Sequence, residues 1–227
     1  MTVAGKRIVV TGAGRGIGAG LTAVLRERGA TVITADLSSE GVEAVDVVCD
    51  VSDPAQVDAL FAHAGLVDGL VNNAALLVGR RAYDEIPLDE WDRMFAVNVR
   101  GSYLCARAAV RAMGGRGGAI VNVASETAFT GSHGFAHYVA SKGAVVSLTR
   151  ALANELGALA IRVNCVAPGR TETPGSSVLG SYDSSRTPLG RVMRPDDLYG
   201  TMAFLLSDDA AFVSGQTILV NGGRFPH

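Results

Sequence analysis

A serine, a tyrosine and a lysine carry the clearest chemical signal in the chain: Ser125, Tyr138 and Lys142. Residues i and i+4 share one face of a helix, so the Lys142 ammonium group can approach the Tyr138 phenol. A nearby cation stabilises a tyrosinate, and lowering the pKa of Tyr138 by about 2–3 units would suit it to acid–base work at neutral pH. The spacing therefore predicts a proton-transfer site. The alternative is a surface tyrosine beside a solvated lysine.

A glycine-rich segment, TGAGRGIG at residues 11–18, follows the first apolar run and leads into a predicted helix. Glycines permit a tight turn and close backbone approach, and a helix N-terminus offers free N–H groups to an anion. The segment is predicted to bind the pyrophosphate of a dinucleotide, with a plain strand-to-helix turn as the alternative. The expected contacts are Gly12, Gly14, Arg15, Gly16, Ile17 and Gly18.

An acidic residue, Asp36, ends the second apolar run and is followed by Leu37. A carboxylate at this place can accept hydrogen bonds from the adenosine ribose hydroxyls, and it repels a 2′-phosphate. We therefore expect NAD as the cofactor. Arg15 could partly offset the repulsion, so NADP stays open, and Asp36 could also simply terminate its strand.

Composition narrows the class of partner. The chain has 227 residues, with 20 basic and 22 acidic side chains, a net charge of −2 and no long run of one sign, so a surface for nucleic acid or anionic membrane is not expected. The cysteines Cys49, Cys105 and Cys165 lack metal-ligand spacing, which predicts no metal site and a reducing compartment. No apolar run approaches a membrane span or a signal segment. We expect a cytoplasmic protein that acts on a small molecule.

Short runs rich in valine and isoleucine alternate with helical stretches, and most are apolar on both faces, as in parallel strands covered on each side. Seven strands are predicted, at 7–11, 31–35, 45–49, 69–72, 119–123, 161–166 and 217–220. Helices are predicted at 16–28, 54–64, 89–113, 137–156 and 195–206. The pattern indicates an α/β fold: one doubly wound, three-layer Rossmann-type domain with helices on both faces of a parallel sheet.

Local signals mark helix ends and one irregular connection. Asp53, Pro54 and Gln56 predict a capping box, and Gly65 is predicted to end that helix. Segment 174–190 is polar, rich in glycine and serine and without periodicity, so it is predicted to be a mobile surface loop with a functional role. Within the single domain 1–227, residues 1–124 would mainly bind the dinucleotide, and residues 125–227 would carry the catalytic residues and the substrate loop.

Taken together, the motifs resemble those of the short-chain dehydrogenase/reductase family over nearly the whole chain. Besides the glycine turn, they include Asp50-Val51, Asn72-Asn73-Ala74-Ala75, Asn98-Val99-Arg100-Gly101, Ser125, YVASK at 138–142, Arg162-Val163-Asn164 and Pro168-Gly169 through Thr173. The resemblance implies hydride transfer between a nicotinamide cofactor and a secondary alcohol or ketone.

The same resemblance implies a role for each matching residue. Tyr138 would be the general acid/base, Ser125 would hydrogen-bond the substrate oxygen, and Lys142 would bind the nicotinamide ribose and lower the pKa of the tyrosine. Asn98 would hold a water in a proton relay from Lys142. The remaining cofactor contacts would come from Asp50 and Val51 at the adenine, Asn72 and Ala74 at the ribose, and Pro168, Gly169, Thr171 and Thr173 at the carboxamide. Members assemble as homotetramers or homodimers, which we expect here.

This chain departs from the family pattern in two segments. Between Asp36 and Cys49 there is too little chain for the usual helix, and segment 174–190 replaces two apolar helices, which predicts a small or partly open substrate pocket. Glu126 and His133 are candidates for substrate contact, with a solvated loop carboxylate as the alternative for Glu126.

Two other functions stay open at this point. One is an NADPH-dependent reductase of 3-oxoacyl thioesters or polyketides, which would favour a basic residue where Asp36-Leu37 stands. The other is a non-catalytic NAD-binding regulatory subunit, which would need only the glycine turn.

Overall fold

A computed structural model of the protein describes residues 2–38, 44–173 and 183–226. Its strands are β1 (Arg7–Thr11), β2 (Thr31–Asp36), β3 (Val47–Val48), β4 (Gly69–Asn72), β5 (Gly118–Val123), β6 (Ile161–Pro168) and β7 (Thr217–Val220). They form one parallel sheet in the order β3-β2-β1-β4-β5-β6-β7. The predicted seven-stranded, doubly wound fold is confirmed.

Helices occupy most of the connections between strands. They are α1 (Gly16–Glu27), α2 (Pro54–Ala64), α3 (Leu88–Phe95), α4 (Ser102–Met113), α5 (Thr127–Thr130), α6 (Ala136–Leu156) and α7 (Asp196–Leu206). A π-helical segment, Ala96–Gly101, joins α3 to α4, and short 3₁₀ turns lie at Gly157–Leu159, Ser184–Arg186 and Asp208–Ala210. The predicted helix 89–113 is confirmed in its extent, since residues 88–113 are helical throughout, but its middle turn is π-helical rather than α-helical.

Two apolar clusters lie on opposite faces of the sheet and make the three layers. One packs α2 and α4 against the sheet through side chains such as Leu60 and Leu104. The other packs α1 and α7 through side chains such as Leu25 and Met202. Burial on both faces explains why the strands are continuously apolar rather than alternating.

The edge strand is shorter than the predicted 45–49, since only Val47–Val48 pairs with β2. Asp46, just before it, accepts hydrogen bonds from the backbone N–H and the hydroxyl of Thr34, at 2.8 and 2.7 Å. The Thr34 hydroxyl oxygen in turn accepts from the Asp46 N–H at 2.9 Å. Side chains thus take the backbone groups that a longer strand would pair.

The helix ends follow the sequence signals with one difference. Asp53 accepts from the N–H groups of Ala55 and Gln56 at the start of α2, and Gly65 ends the helix with φ of 68°. The Gln56 side chain accepts from the Asp50 N–H and donates to the Asp53 carboxylate at 3.0 Å, whereas the Asp53 N–H donates to the Asp50 carbonyl oxygen, so the backbone bond from Asp53 to Gln56 that completes a capping box is not formed. Of the predicted loop 174–190, residues 174–182 lie outside the described residues.

The strand order places the site. From β1 the chain runs outward on one side to β2 and β3, then crosses to β4 on the other side of β1. Loops that leave the carboxyl ends of β1 and β4 therefore diverge and open a crevice between them, where doubly wound proteins bind ligands.

Candidate active site

A cavity of about 1070 Å³ opens at the carboxyl ends of the strands. It runs from the turn after β1 to the segments that follow β5 and β6. Its volume is at the upper end of the range for ligand pockets, enough for a large cofactor together with a small substrate. Most of the residues predicted to contact cofactor or substrate line this one cavity, although their positions in the sequence are far apart.

The glycine turn between β1 and α1 forms one end of the cavity. Gly12 adopts φ of +65°, and a Cβ atom on Gly18 would overlap the carbonyl oxygen of Gly12. The Asn73 side-chain amide donates to the carbonyl oxygens of Thr11 and Gly12, at 3.0 and 2.8 Å, and holds the turn from the β4 side. The first turn of α1 carries no acidic side chain, so its free N–H groups face the cavity mouth with no competing anion. These features fit a bound pyrophosphate.

Asp36 stands beside this turn at the end of β2. One carboxylate oxygen accepts from the Gly14 N–H at 2.8 Å, and the other accepts from the Leu37 N–H at 2.7 Å. A carboxylate has about four acceptor positions, so each oxygen retains one for a ribose hydroxyl. The carboxylate is thus held by the backbone where the predicted ribose contact requires it.

Most of the other predicted contacts also line the cavity. They are Arg15, Gly16, Ile17, Leu37, Asp50, Val51, Ala74, Pro168, Gly169, Thr171 and Thr173. Gly14 and Gly18 support the turn from behind and do not line it. Asn72 is not brought to the cavity either, because its amide donates to the Ser102 carbonyl oxygen and the Asn122 side chain between β4, β5 and α4. Its neighbour Asn73 lines the cavity instead.

Ser125, Tyr138 and Lys142 come together on one wall of the cavity. Lys142 is 3% exposed, its Nζ donates to the Val123 carbonyl oxygen at 2.8 Å, and Nζ lies 5.8 Å from the Tyr138 ring centre. The Ser125 hydroxyl oxygen accepts from the Thr127 hydroxyl at 2.9 Å. Because Thr127 donates, the Ser125 proton is left for another acceptor.

The pKa of Tyr138 runs opposite to the expectation from its spacing to Lys142. Burial raises the pKa of Tyr138 to about 12, with the neighbouring Ser125 hydroxyl opposing the shift. Burial also lowers the pKa of Lys142 to about 8. The spacing of Tyr138 and Lys142 reports the nearby ammonium charge but not the desolvation of the two groups, which here is the larger effect. In addition, Lys142 Nζ is directed to a backbone carbonyl oxygen. The protein's own groups therefore leave the phenol protonated.

The lowered pKa of Lys142 predicts a pH-dependent stability. Between pH 8 and its ordinary pKa of 10.5, the unfolded chain binds a proton that the folded chain does not, so burial of Lys142 costs less as pH rises. We expect Lys142→Met to gain free energy of unfolding relative to wild type at pH 7.5, and about 1–3 kcal/mol of that gain to be lost by about pH 10. Urea denaturation at both pH values measures the difference.

Cys165 interacts electrostatically with Lys142, so both proteins are compared in a Cys165→Ala background, in which the remaining cysteines are common to both and cancel in the difference. Lys6→Met is the control, since Lys6 is the chain's other lysine and lies at the surface beside Asp208. A gain for Lys142→Met that does not change with pH would contradict the assignment.

Asn98 sits in the π-helical segment and is 1% exposed. Its side chain accepts from the Leu76 N–H at 2.7 Å and donates to the Leu76 carbonyl oxygen and the Ser141 hydroxyl, at 3.1 and 3.0 Å. The Ser141 hydroxyl in turn donates to the carbonyl oxygen of Tyr138 at 2.8 Å. Asn98 therefore fixes the segment after β4 to the helix turn of Tyr138 and Lys142. It does not itself line the cavity.

The two predicted substrate contacts differ in position. Glu126 lines the cavity, is 8% exposed, and has one carboxylate oxygen without a hydrogen-bond partner. Burial raises its pKa, and the positive charge of Arg224 opposes that shift. His133 is exposed and does not line the cavity, and only its carbonyl oxygen is engaged, by Arg80.

Several cavity residues were not singled out from the sequence. Asn73 belongs to the motif Asn72-Asn73-Ala74-Ala75, so the motif indicates an asparagine at the cavity, but it does not tell which of the two neighbours faces it. Thr127 follows Ser125 at a spacing that allows a hydroxyl–hydroxyl bond. Phe135 packs its ring against Tyr138, with 6.3 Å between ring centres. Arginines 80 and 93 reach the cavity from segments without a motif.

Two searches over the described residues bear on other functions. No group of three or more histidine, cysteine, aspartate or glutamate side chains in residues 2–38, 44–173 and 183–226 is arranged to hold a metal ion. Within the same ranges, none of the helices has the length and apolarity needed to span a membrane.

Comparison with known proteins agrees with this geometry. Residues 12–224 match the family model described as enoyl-(acyl carrier protein) reductase. A probable short-chain type dehydrogenase/reductase of Bradyrhizobium diazoefficiens is 40% identical over 98% of this chain and 88% of its own length. The meso-2,3-butanediol dehydrogenase of Serratia marcescens is 35% identical over 96% of this chain and 94% of its own.

A solved structure shares the fold. The crystal structure of 3-ketoacyl-(acyl-carrier-protein) reductase from Brucella melitensis complexed with NADH superposes with a TM-score of 0.92 at 36% identity, covering 98% of this chain and 99% of that one.

Proposed function

Because the chain belongs to the short-chain dehydrogenase/reductase family of NAD(P)-dependent oxidoreductases, which act on alcohols and ketones, we propose that it is an NAD-dependent secondary-alcohol dehydrogenase. The observation that carries the proposal is the position of Ser125, Tyr138 and Lys142 on the wall of the cavity whose far end is the glycine turn. A binding module would need the turn alone.

Each polar group has a task in this proposal. The Ser125 hydroxyl, its oxygen already bonded by Thr127, donates to the substrate oxygen. Tyr138 takes the hydroxyl proton during oxidation as the tyrosinate, after the positive charges beside it have favoured loss of its own proton. An oxidised nicotinamide bound in this cavity would supply the hydride acceptor for the carbinol hydrogen and a positive charge beside the phenol. The alcohol thus loses a hydride and a proton, which together are two electrons and two protons, and becomes a ketone. Lys142, held by Val123, adds its charge and carries the ribose contact.

Asn98 is proposed to support the proton relay by position. It ties Leu76 and Ser141 together, one residue from Lys142, and so fixes the helix turn that holds both Lys142 and Tyr138. A water held beside it would complete the path from Lys142 to solvent.

The choice of NAD over NADP rests on Asp36. Its carboxylate is fixed by two backbone N–H groups, so a 2′-phosphate would meet a negative charge that cannot easily turn away. Arg15 lines the same end of the cavity and would partly compensate. We propose NAD as the preferred cofactor and NADP as a weaker one.

Asp36→Asn tests this choice, because asparagine keeps an acceptor for the backbone and removes the charge. We expect the ratio of kcat/KM for NADP to that for NAD to rise by about 10–100-fold, equivalent to about 1.4–3 kcal/mol of removed repulsion. Arg15→Gln is the control in the opposite direction. It should lower the ratio of kcat/KM for NADP to that for NAD, because it removes a positive charge at the same end of the cavity. A wild-type enzyme that prefers NADP would contradict the role given to Asp36.

The test of the function itself is a panel of secondary alcohols and ketones with NAD and NADH, including 2,3-butanediol and acetoacetyl-CoA. Turnover of alcohols with NAD supports the proposal. Faster reduction of acetoacetyl-CoA with NADPH would favour the thioester reductase instead. Tight NADH binding without turnover of any member would favour a regulatory subunit. A cytoplasmic homotetramer or homodimer stays our prediction for the assembly, which light scattering checks.

A further inference from the structure

Arginines dominate the charged lining of the cavity away from its adenine end. The carboxylates in the described part of its lining are Asp36 and Asp50, both at the adenine end, and Glu126 beside Ser125. Against the single carboxylate of Glu126 stand the guanidinium groups of Arg80, Arg93, Arg170, Arg186 and Arg224. Such an excess of one charge in a cavity that binds an uncharged alcohol has no explanation in the hydride transfer itself.

Arg80 is held in place by its neighbours. Its guanidinium carbon lies 4.7 Å from the ring centre of Phe135, and Nη1 donates to the His133 carbonyl oxygen. Gly134 has φ of +76°, and a Cβ atom there would come within 3.0 Å of the Arg80 Cβ. The adjacent Arg81 N–H donates to the Gly134 carbonyl oxygen at 3.0 Å. The chain at Arg80-Arg81 therefore packs closely against the chain at residues 133–135, with the Arg80 side chain between them.

This position is close to the reacting groups. The Phe135 ring centre is 6.3 Å from that of Tyr138, so the Arg80 guanidinium carbon is at most 11.0 Å from the Tyr138 ring centre. A small organic substrate can therefore contact both. Among the described residues, Arg80 bonds only the His133 carbonyl oxygen and the Phe135 ring. A guanidinium group has five N–H donors, so donors remain for an anion.

Arg93 reaches the same cavity from α3. Arg93 lies one helical turn before Val97, which also lines the cavity, so the two side chains share one face of the helix. Asn98, next to Val97, is bonded to Leu76 at the start of the segment that carries Arg80. Within the described ranges, no carboxylate forms an ion pair with Arg80 or Arg93. Arg81, which does not line the cavity, has its partner in Glu90 at 3.1 Å.

Glu126 does not cancel this charge. The positive charge of Arg224 acts on it directly, and burial favours its neutral form. Arg80 and Arg93 are therefore left without a counter-ion among the residues that the structure describes.

We propose that the substrate of this enzyme carries a carboxylate, which Arg80 and Arg93 bind beyond Tyr138. The inference deepens the proposed function and rests on it: the substrate is a hydroxy acid or the corresponding keto acid. Guanidinium groups bind carboxylates through paired hydrogen bonds, which orient the substrate as well as attract it. The anion would set the carbinol carbon toward Ser125 and Tyr138.

The test compares each hydroxy acid with its own amide, which has the same shape and no charge. The probes are 3-hydroxybutanoate and 4-hydroxycyclohexanecarboxylate, which place the carboxylate at two distances from the carbinol. We expect wild-type kcat/KM to favour at least one acid over its amide by about tenfold or more. Raising NaCl from about 0.05 to about 0.5 M should weaken that preference, because the guanidinium groups are exposed to solvent.

Arg80→Gln and Arg93→Gln should each lower kcat/KM for the acid by about tenfold or less, and the double variant should reduce the acid-to-amide ratio to about threefold or less. Turnover of the amides should fall by less than that of the acids, because the amides carry no charge for the guanidinium groups to bind. Arg150→Gln is the matched control, because Arg150 is an exposed arginine on α6 outside the cavity lining.

The outcomes separate this inference from the proposed function. Turnover of acid and amide at equal kcat/KM keeps the dehydrogenase and overturns the carboxylate site. If neither turns over, thermal unfolding with saturating NADH decides on the carboxylate site, and the alcohol panel decides separately on the proposed reaction. A Tm raised by 4-oxocyclohexanecarboxylate but not by its amide supports the carboxylate site, and no difference between the two in Tm overturns it.

Discussion

Replacing Tyr138 by phenylalanine should lower kcat/KM for a secondary alcohol by about 1000-fold or more, with little change in NADH binding. General acid–base catalysis contributes about 100–10,000-fold, and no other phenol in the described cavity lining can replace the lost hydroxyl. The phenylalanine ring keeps the edge contact with Phe135, so the wall of the cavity should keep its shape. Steady-state kinetics on the best alcohol of the panel and fluorescence titration with NADH measure the two effects.

Tyr199→Phe is the matched control. Tyr199 is another tyrosine whose pKa burial raises to about 12, but it lies on α7, away from the cavity. We expect its kcat/KM to stay within about threefold of wild type, since its hydroxyl takes no part in proton transfer. Activity of Tyr138→Phe within about tenfold of wild type would reject the acid–base assignment.

Replacing Gly18 by alanine should nearly abolish dinucleotide binding and also destabilise the fold. The added Cβ would overlap the Gly12 carbonyl oxygen and come within 2.7 Å of Asn73 Nδ2, so the turn must open where it should hold the pyrophosphate. We expect the Kd for NADH to rise by about 100-fold or more. The free energy of unfolding should fall by about 2–4 kcal/mol, because backbone atoms cannot move aside as a flexible side chain does.

Gly200→Ala separates the steric effect from the change in residue type. Gly200 lies within α7, and a Cβ there meets nothing within 4 Å. This variant should bind NADH as wild type does and gain up to about 1 kcal/mol, because alanine favours the helix over glycine. Wild-type NADH affinity in Gly18→Ala would show that the turn does not hold the cofactor.

The periodicity of apolar residues in the sequence was sufficient to predict the three layers of the fold. Strands such as β1 and β5 are buried on both faces, so their apolar runs are distinctive. The length of β3 was not predictable in this way, because it depends on the reciprocal bonds between Thr34 in β2 and Asp46 just before β3. Only the folded chain brings these two residues together. The π-helical turn at 96–101 is likewise accompanied by hydrogen bonds from Asn98 to Leu76 and Ser141. Only the folded chain brings these residues together.

The site was predictable where a motif fixes residue type and spacing, and less so where burial decides. The choice between Asn72 and Asn73 depends on which face of β4 each side chain leaves, since neighbours on a strand point to opposite sides. The pKa of Tyr138 depends on desolvation, which spacing does not report. Arg80 is placed by packing on Phe135, a contact across more than fifty residues of chain.

The π-helical segment Ala96–Gly101 has a consequence for protein engineering. Redesigning this stretch as an ideal α-helix of the same length would rotate everything on one side of it by about 100° relative to the other. Asn98 would then face away from Leu76 and Ser141 even though no residue of the site had been substituted. Stabilisation of this enzyme by regularising its helices should therefore leave these six residues untouched.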